Sequence, residues 1–222
     1  MNPFGGESPD NYEQKCLCVL VLDVSGSMDG VPIHQLNNGL QDFHMEVLSD
    51  FTASNRLEVS IITFGSVIRC IQEPCLVHHV NMPVLTTGGS TKLADAMKLA
   101  IRQVENRKIW YKNTGQNYYR PMIVLITDGE PDPDQDMAGL SREILDGVNS
   151  KKFTFYALGV QGYNHAKISQ ICHPSTPPLP LDGYKFSAFF KWLSNSIGII
   201  TKSKEGDKIT LPPINGWLQA EV

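Results

Sequence analysis

Two hydrophobic rhythms alternate along the chain. Cys16-Leu-Cys-Val-Leu-Val-Leu-Asp23 is a near-continuous apolar run that stops at a carboxylate. That is the pattern of a parallel strand buried on both faces. Residues 57–64, 122–127 and 153–159 repeat it, and the 122–127 run is also followed by a carboxylate, Asp128. Residues 67–71, after the Gly65-Ser66 turn, predict a short antiparallel partner strand at the sheet edge, and a further short strand is expected near Leu181.

Between these runs the period changes from continuous to helical. Pro32 opens a segment in which Ile33, Leu36, Leu40, Phe43, Val47 and Leu48 recur at helical spacing. Residues 93–104 repeat that spacing through Leu93, Ala96, Met97, Ala100, Ile101 and Val104. Helices are also predicted over 140–148, 165–171 and 186–200. Strands alternating with helices point to an α/β fold: an open, doubly wound, mostly parallel six-stranded sheet flanked by helices. The boundaries follow from composition. Residues 1–14 read as a polar flexible lead-in and 15–202 as one domain. Residues 203–222 read as an extended tail, with Trp217 expected to anchor it on the domain.

Composition narrows the function classes. The 222 residues suffice for a core without staples. A net charge of −4 provides no basic field for a phosphate backbone, so nucleic acid is not an expected partner. No apolar run approaches the roughly 20 residues of a membrane span, and residues 1–15 hold no basic-then-apolar leader. A cytoplasmic protein is expected. The five cysteines read as packing residues: Cys16 and Cys18 share a strand face, while Cys70 and Cys75 could approach each other across a turn but are expected to stay reduced.

The chemistry concentrates in three loops at strand ends. Asp23-Val-Ser25-Gly-Ser27 places a carboxylate and two hydroxyls on one side of a tight loop. Thr86-Thr-Gly-Gly-Ser-Thr91 opens the second long helix, and Thr127-Asp128-Gly-Glu-Pro-Asp132 follows a strand. Oxygen donors of this kind suit a hard cation. In doubly wound sheets such loops gather at the carboxyl ends of the strands, where ligands bind.

Asp23-x-Ser25-x-Ser27, Thr91 and Asp128-Gly129 resemble the metal-ion-dependent adhesion site of von Willebrand factor type A domains, over about residues 15 to 200. The segment Phe189-Phe-Lys-Trp-Leu-Ser-Asn-Ser and the later Gly206-Asp-Lys-Ile-Thr-Leu-Pro-Pro are similar to the bacterial TerY-like subfamily linked to tellurite resistance. The resemblance implies strand order 3-2-1-4-5-6 and a Mg²⁺ site, with Mn²⁺ or Ca²⁺ as alternative occupants. Its metal residues would be Asp23, Ser25, Ser27, Thr91 and Asp128. Ser25 and Ser27 would ligate directly, Thr91 directly or through water, and Asp128 through a metal-bound water. An open position would take a Glu or Asp of a protein partner, and relatives of this subfamily look like partners of kinases and phosphatases. Ser90 stands where related domains often have glycine, so either hydroxyl of Ser90-Thr91 is a candidate.

Other motifs read more simply. Gly88-Gly-Ser-Thr-Lys92 lacks the order of a phosphate loop, because its lysine follows the hydroxyls. Asp132, Asp134, Asp136 and Glu143 have calcium-loop spacing, but Met137 occupies the glycine position, and acids ahead of a helix suit its dipole. His78-His79 and Cys172-His173 are adjacent pairs without zinc spacing. Phe186, Phe189, Phe190 and Trp192 read as core. No base is placed in sequence for Ser25 or Ser27, so a metal-dependent binding module is expected rather than an enzyme. The competing readings are a metal-assisted phosphohydrolase and a metal-silent scaffold binding through its helices or tail.

Overall fold

The computed structural model describes residues 8–128, 130–160, 162–181, 186–204 and 210–212. The strands are β1 (Cys16–Asp23), β2 (Leu57–Phe64), β3 (Ile68–Leu76), β4 (Met122–Thr127), β5 (Thr154–Val160) and β6 (Leu179–Leu181). The helices are α1 (Val31–Ser49), α2 (Phe51–Arg56), α3 (Leu93–Thr114), α4 (Met137–Asn149), α5 (His165–Ser169) and α6 (Phe186–Lys202). The sheet runs β3-β2-β1-β4-β5-β6, and only β3 is antiparallel to its neighbour. This is the doubly wound class that the alternating pattern predicts, in the strand order that the resemblance implies.

β1 lies at the centre and is apolar on both sides for that reason. Cys16, Cys18, Leu20 and Leu22 pack with α1 and α6, including Leu36, Leu40, Phe43, Phe189 and Phe190. Leu17, Val19 and Val21 face the opposite layer, with Ala96, Met97 and Ala100 of α3 and Leu140 and Ile144 of α4. Chain order reverses direction across the sheet between β1 and β4, so a crevice opens beyond the carboxyl ends of these two strands.

Several elements run beyond their expected limits. β3 extends to Leu76, because Gln72-Glu73-Pro74 breaks the apolar alternation without breaking the strand. Its ladder with β2 shifts register on either side of Ile61, and an edge strand tolerates Pro74. α3 continues ten residues past Val104. Its buried face there carries Arg107, Trp110 and Tyr111 rather than aliphatic residues. α2 is too short for a periodic signal, yet it is capped: Asp50 accepts from Thr52 N–H at 3.0 Å and Ala53 N–H at 3.1 Å.

Two expectations on the cysteines separate. Cys16 and Cys18 lie in the core, as their alternation implies. Cys70 and Cys75 do not meet across a turn; both lie on β3. Residues 8–14, expected as lead-in, make specific contacts. Asn11 Nδ2 donates to Asn55 O at 3.1 Å, and Arg56 pairs with Glu13 at 2.6 Å. At the other end Trp192 Nε1 donates to Pro212 O at 2.9 Å. Trp217 and the tail beyond Pro212 lie outside the described residues. Among the described residues no helix is long and apolar enough to cross a membrane.

Candidate functional site

The site starts from the register of two parallel strands. Leu22 of β1 pairs with Ile126 of β4, so the next residues, Asp23 and Thr127, emerge side by side. Asp23 is fully buried. Its Oδ2 accepts from Thr127 Oγ1 at 2.7 Å and its Oδ1 from Ser25 N–H at 2.8 Å. The second bond closes a turn that brings Ser25 and Ser27 to the same side, their hydroxyls 3.1 Å apart. Burial pushes the Asp23 carboxyl up to about 6, opposed by the bonds from Ser25 and Thr127 and reinforced by the negative charge of Asp128.

Asp128 is the residue after β4. Both of its carboxylate oxygens are buried, and neither has a hydrogen-bond partner. A buried carboxylate with nothing to receive its charge is strongly unfavourable. Two acids that repel each other across a buried crevice, with neither bonded to a basic side chain among the described residues, form a concentration of negative charge.

The third loop is fixed by backbone bonds. Gly88 N–H donates to Val24 O at 2.8 Å and Gly26 N–H to Gly89 O at 3.1 Å, joining the segment before α3 to the Asp23–Ser27 loop. The approach demands glycine. A Cβ at Gly65 would sit 2.6 Å from Gly88 O, and one at Gly89, where φ is +86°, would sit 2.2 Å from Ser66 Oγ. Thr91, itself buried, is clamped from the other side: its N–H donates to Asp132 Oδ1 at 3.0 Å, and Asp132 N–H donates to Thr91 O at 3.0 Å. Ser90 instead donates its N–H to Ser66 Oγ and is half-buried, whereas Thr91 is buried.

The expected metal residues thus stand at one edge of the sheet, on β1, the segment before α3, and the end of β4. Among the described residues no three His, Cys, Asp or Glu side chains form a metal cluster. The donors here are two carboxylates and neighbouring hydroxyls, and the orphaned oxygens of Asp128 fit a hard cation or the water it carries. Gly129 lies outside the described residues. Two contributors were not among the expected site residues, Thr127 and Asp132. Thr127 was legible in principle, since a parallel register that aligns two strand ends aligns their last residues.

The rest of the acidic run serves other ends. Asp136 accepts from Gly139 N–H at 2.8 Å as the cap of α4 and pairs with Lys98 at 3.1 Å.

Comparison with known proteins agrees with this architecture. The sequence profile of the von Willebrand factor type A domain matches residues 18–187. The chain belongs to the von Willebrand factor type A family. No curated protein matches it significantly by sequence. Among solved structures, the domain resembles the pilus adhesin SpaC from Lactobacillus rhamnosus GG in its open conformation, at 14% identity and a TM-score of 0.65. That match covers 86% of this chain but only 31% of SpaC, so the chain spans about a third of that adhesin. The vWF domain of the type V pili tip protein Mfa5 from Porphyromonas gingivalis matches over 89% of this chain and 99% of its own, at 11% identity and a TM-score of 0.62. The ArnB paralog VWA2 from Sulfolobus acidocaldarius matches at 16% identity and a TM-score of 0.54, over 84% of this chain and 46% of that one. At these identities the von Willebrand factor type A likeness is one of fold.

Proposed function

We propose that the chain is a metal-dependent protein-recognition module, whose Mg²⁺ site joins it to a Glu or Asp side chain of a partner. The observation that carries this reading is Asp128, whose two buried carboxylate oxygens have no partner and stand close enough to Asp23 to perturb it. Asp23, Ser25, Ser27, Thr91 and Asp128 are the residues that hold the ion. When bound, the ion supplies an electrophilic position for an external carboxylate. Asp23 contributes charge from the floor of the crevice, oriented by Thr127 and Ser25. Ser25, Ser27 and Thr91 contribute neutral hydroxyls, which leave more of the ion's charge for the incoming acid.

Binding is favoured over catalysis by the same geometry. The Ser25 and Ser27 hydroxyls bond to each other, and no histidine among the described residues hydrogen-bonds either. A hydroxyl without a base is a poor nucleophile. The likeness to a pilus adhesin and a pili tip protein supports an adhesive role. The TerY-like segments support a bacterial stress, tellurite-resistance or phospho-signalling setting, with a kinase or phosphatase as partner.

Thermal unfolding in EDTA, Mg²⁺ or Mn²⁺ tests the reading. A ligand at 100 times its Kd adds about 2.7 kcal/mol to the folded state. For a chain this size that raises Tm by roughly 5 to 10 °C. The rise is expected in wild type and absent in Asp23→Ala. An equal rise in both would remove the ion from this site.

A further inference from the structure

A groove of about 580 Å³ adjoins the candidate metal site. It runs between β3 and the segment leading to α3, and its walls include Val67, Arg69, Ile71, Pro83 and Val84. The same backbone separates groove from metal site: Gly88 and Gly89 line the groove and also bond to Val24 and Gly26 of the Asp23–Ser27 loop. A ligand that reaches the metal site from this side therefore lies over the groove.

The groove has two chemical properties. First, it exposes apolar side chains: Val84 is 78% exposed, Val67 57% and Ile71 40%. Contiguous exposure of this kind marks interaction surfaces. Second, it carries an uncompensated cation. Arg69 is exposed, and no carboxylate among the described residues pairs with it. The nearby acids are engaged elsewhere, Glu73 by Gln103 Nε2 at 2.8 Å and Asp29 by Thr87 Oγ1 at 2.9 Å. A guanidinium fork left open matches a carboxylate.

The spacing follows from the ladder. Leu22, the residue before Asp23, pairs with Thr63, and Thr63 with Arg69. The Arg69 backbone therefore stands two strand spacings from Leu22, and roughly 10 Å from Asp23. An extended chain covers that distance in about three residues.

We infer that the groove reads an extended acidic–apolar segment of the protein partner: one acid goes to the metal site, an apolar side chain sits against Val67 and Val84, and a second acid about three residues away pairs with Arg69. This rests on the metal-bridged reading of the neighbouring site.

The probe is a displayed library of random 12-residue peptides, selected against the immobilised full chain in Mg²⁺ and again in EDTA. Wild type is expected to enrich peptides with two acids about three residues apart and an apolar residue between them. Arg69→Glu, an exposed change away from the metal residues, is expected to retain the first acid and to replace the second by Lys or Arg. Synthetic copies of the wild-type peptides should bind that variant roughly tenfold more weakly. Mg²⁺-dependent peptides indifferent to Arg69→Glu overturn the groove and leave the metal reading standing. Peptides that respond to Arg69→Glu but bind equally in EDTA overturn the metal reading and leave the groove. A library with no enriched pattern overturns the groove inference.

Discussion

Thr127 Oγ1 donates to Asp23 Oδ2 at 2.7 Å, where both residues are fully shielded from solvent. One strand end thereby orients the carboxylate of another. Thr127→Val keeps the shape and removes the donor, leaving a buried oxygen short of a partner. Such a loss amounts to about 1–3 kcal/mol. The variant is expected to melt lower than wild type in EDTA and to show a smaller Mg²⁺-induced rise, both read by calorimetry.

The Asp23 carboxyl gives a pH signature in the metal-free protein. Its folded value of about 6 lies above the ordinary 3.8, so between these values the folded state holds more proton than the unfolded chain. Stability from this group is full below about pH 4 and is lost as pH rises through 6, by about 3 kcal/mol in all. In EDTA, denaturant titrations from pH 4 to 7 should show this decline, and Asp23→Asn should flatten it. A wild type that gains stability from this group over the window would contradict the assignment.

Asp132 and Asp136 belong to one acidic run but have separate duties. Asp132→Ala releases the Thr91 N–H and is expected to reduce the stabilisation given by Mg²⁺. Asp136→Ala removes the α4 cap, at a cost of about 1 kcal/mol, with the Mg²⁺ response unchanged. Parallel melts of the two variants, with and without Mg²⁺, separate these roles.

At the opposite end of the sheet, Glu58 accepts from Arg107 Nε and Nη2, each at 2.8 Å, and from Tyr111 OH at 2.5 Å. Arg107 also stacks 3.9 Å over the Trp110 ring. Removing the cation strands a buried acid. Arg107→Ala is expected to lower stability by about 3–5 kcal/mol. That corresponds to a Tm loss of roughly 6 to 20 °C. The Mg²⁺-induced rise should survive, because the pair stands far from the carboxyl edge.

The β1, β2 and β4 runs were legible because strands buried on both faces admit little but aliphatic residues. The two strand-end acids were legible for the converse reason: a carboxylate closing such a run has no packing role. The limits of β3 and α3 were not, since Gln72, Glu73 and Arg107 belong to their elements through bonds to distant residues. Arg107 is buried only because Glu58 of β2 receives it. The clamp of Asp132 on Thr91 is likewise invisible to spacing, because 41 residues separate its ends.

The most direct measurement is a Mn²⁺ titration followed by electron paramagnetic resonance, which counts free ion against bound. Wild type is expected to take up a single equivalent that Mg²⁺ displaces, and Asp23→Ala and Asp128→Ala to take up none while remaining folded by circular dichroism. Mn²⁺ bound equally by wild type and both variants, or by none of the three, would contradict a metal site between β1 and β4.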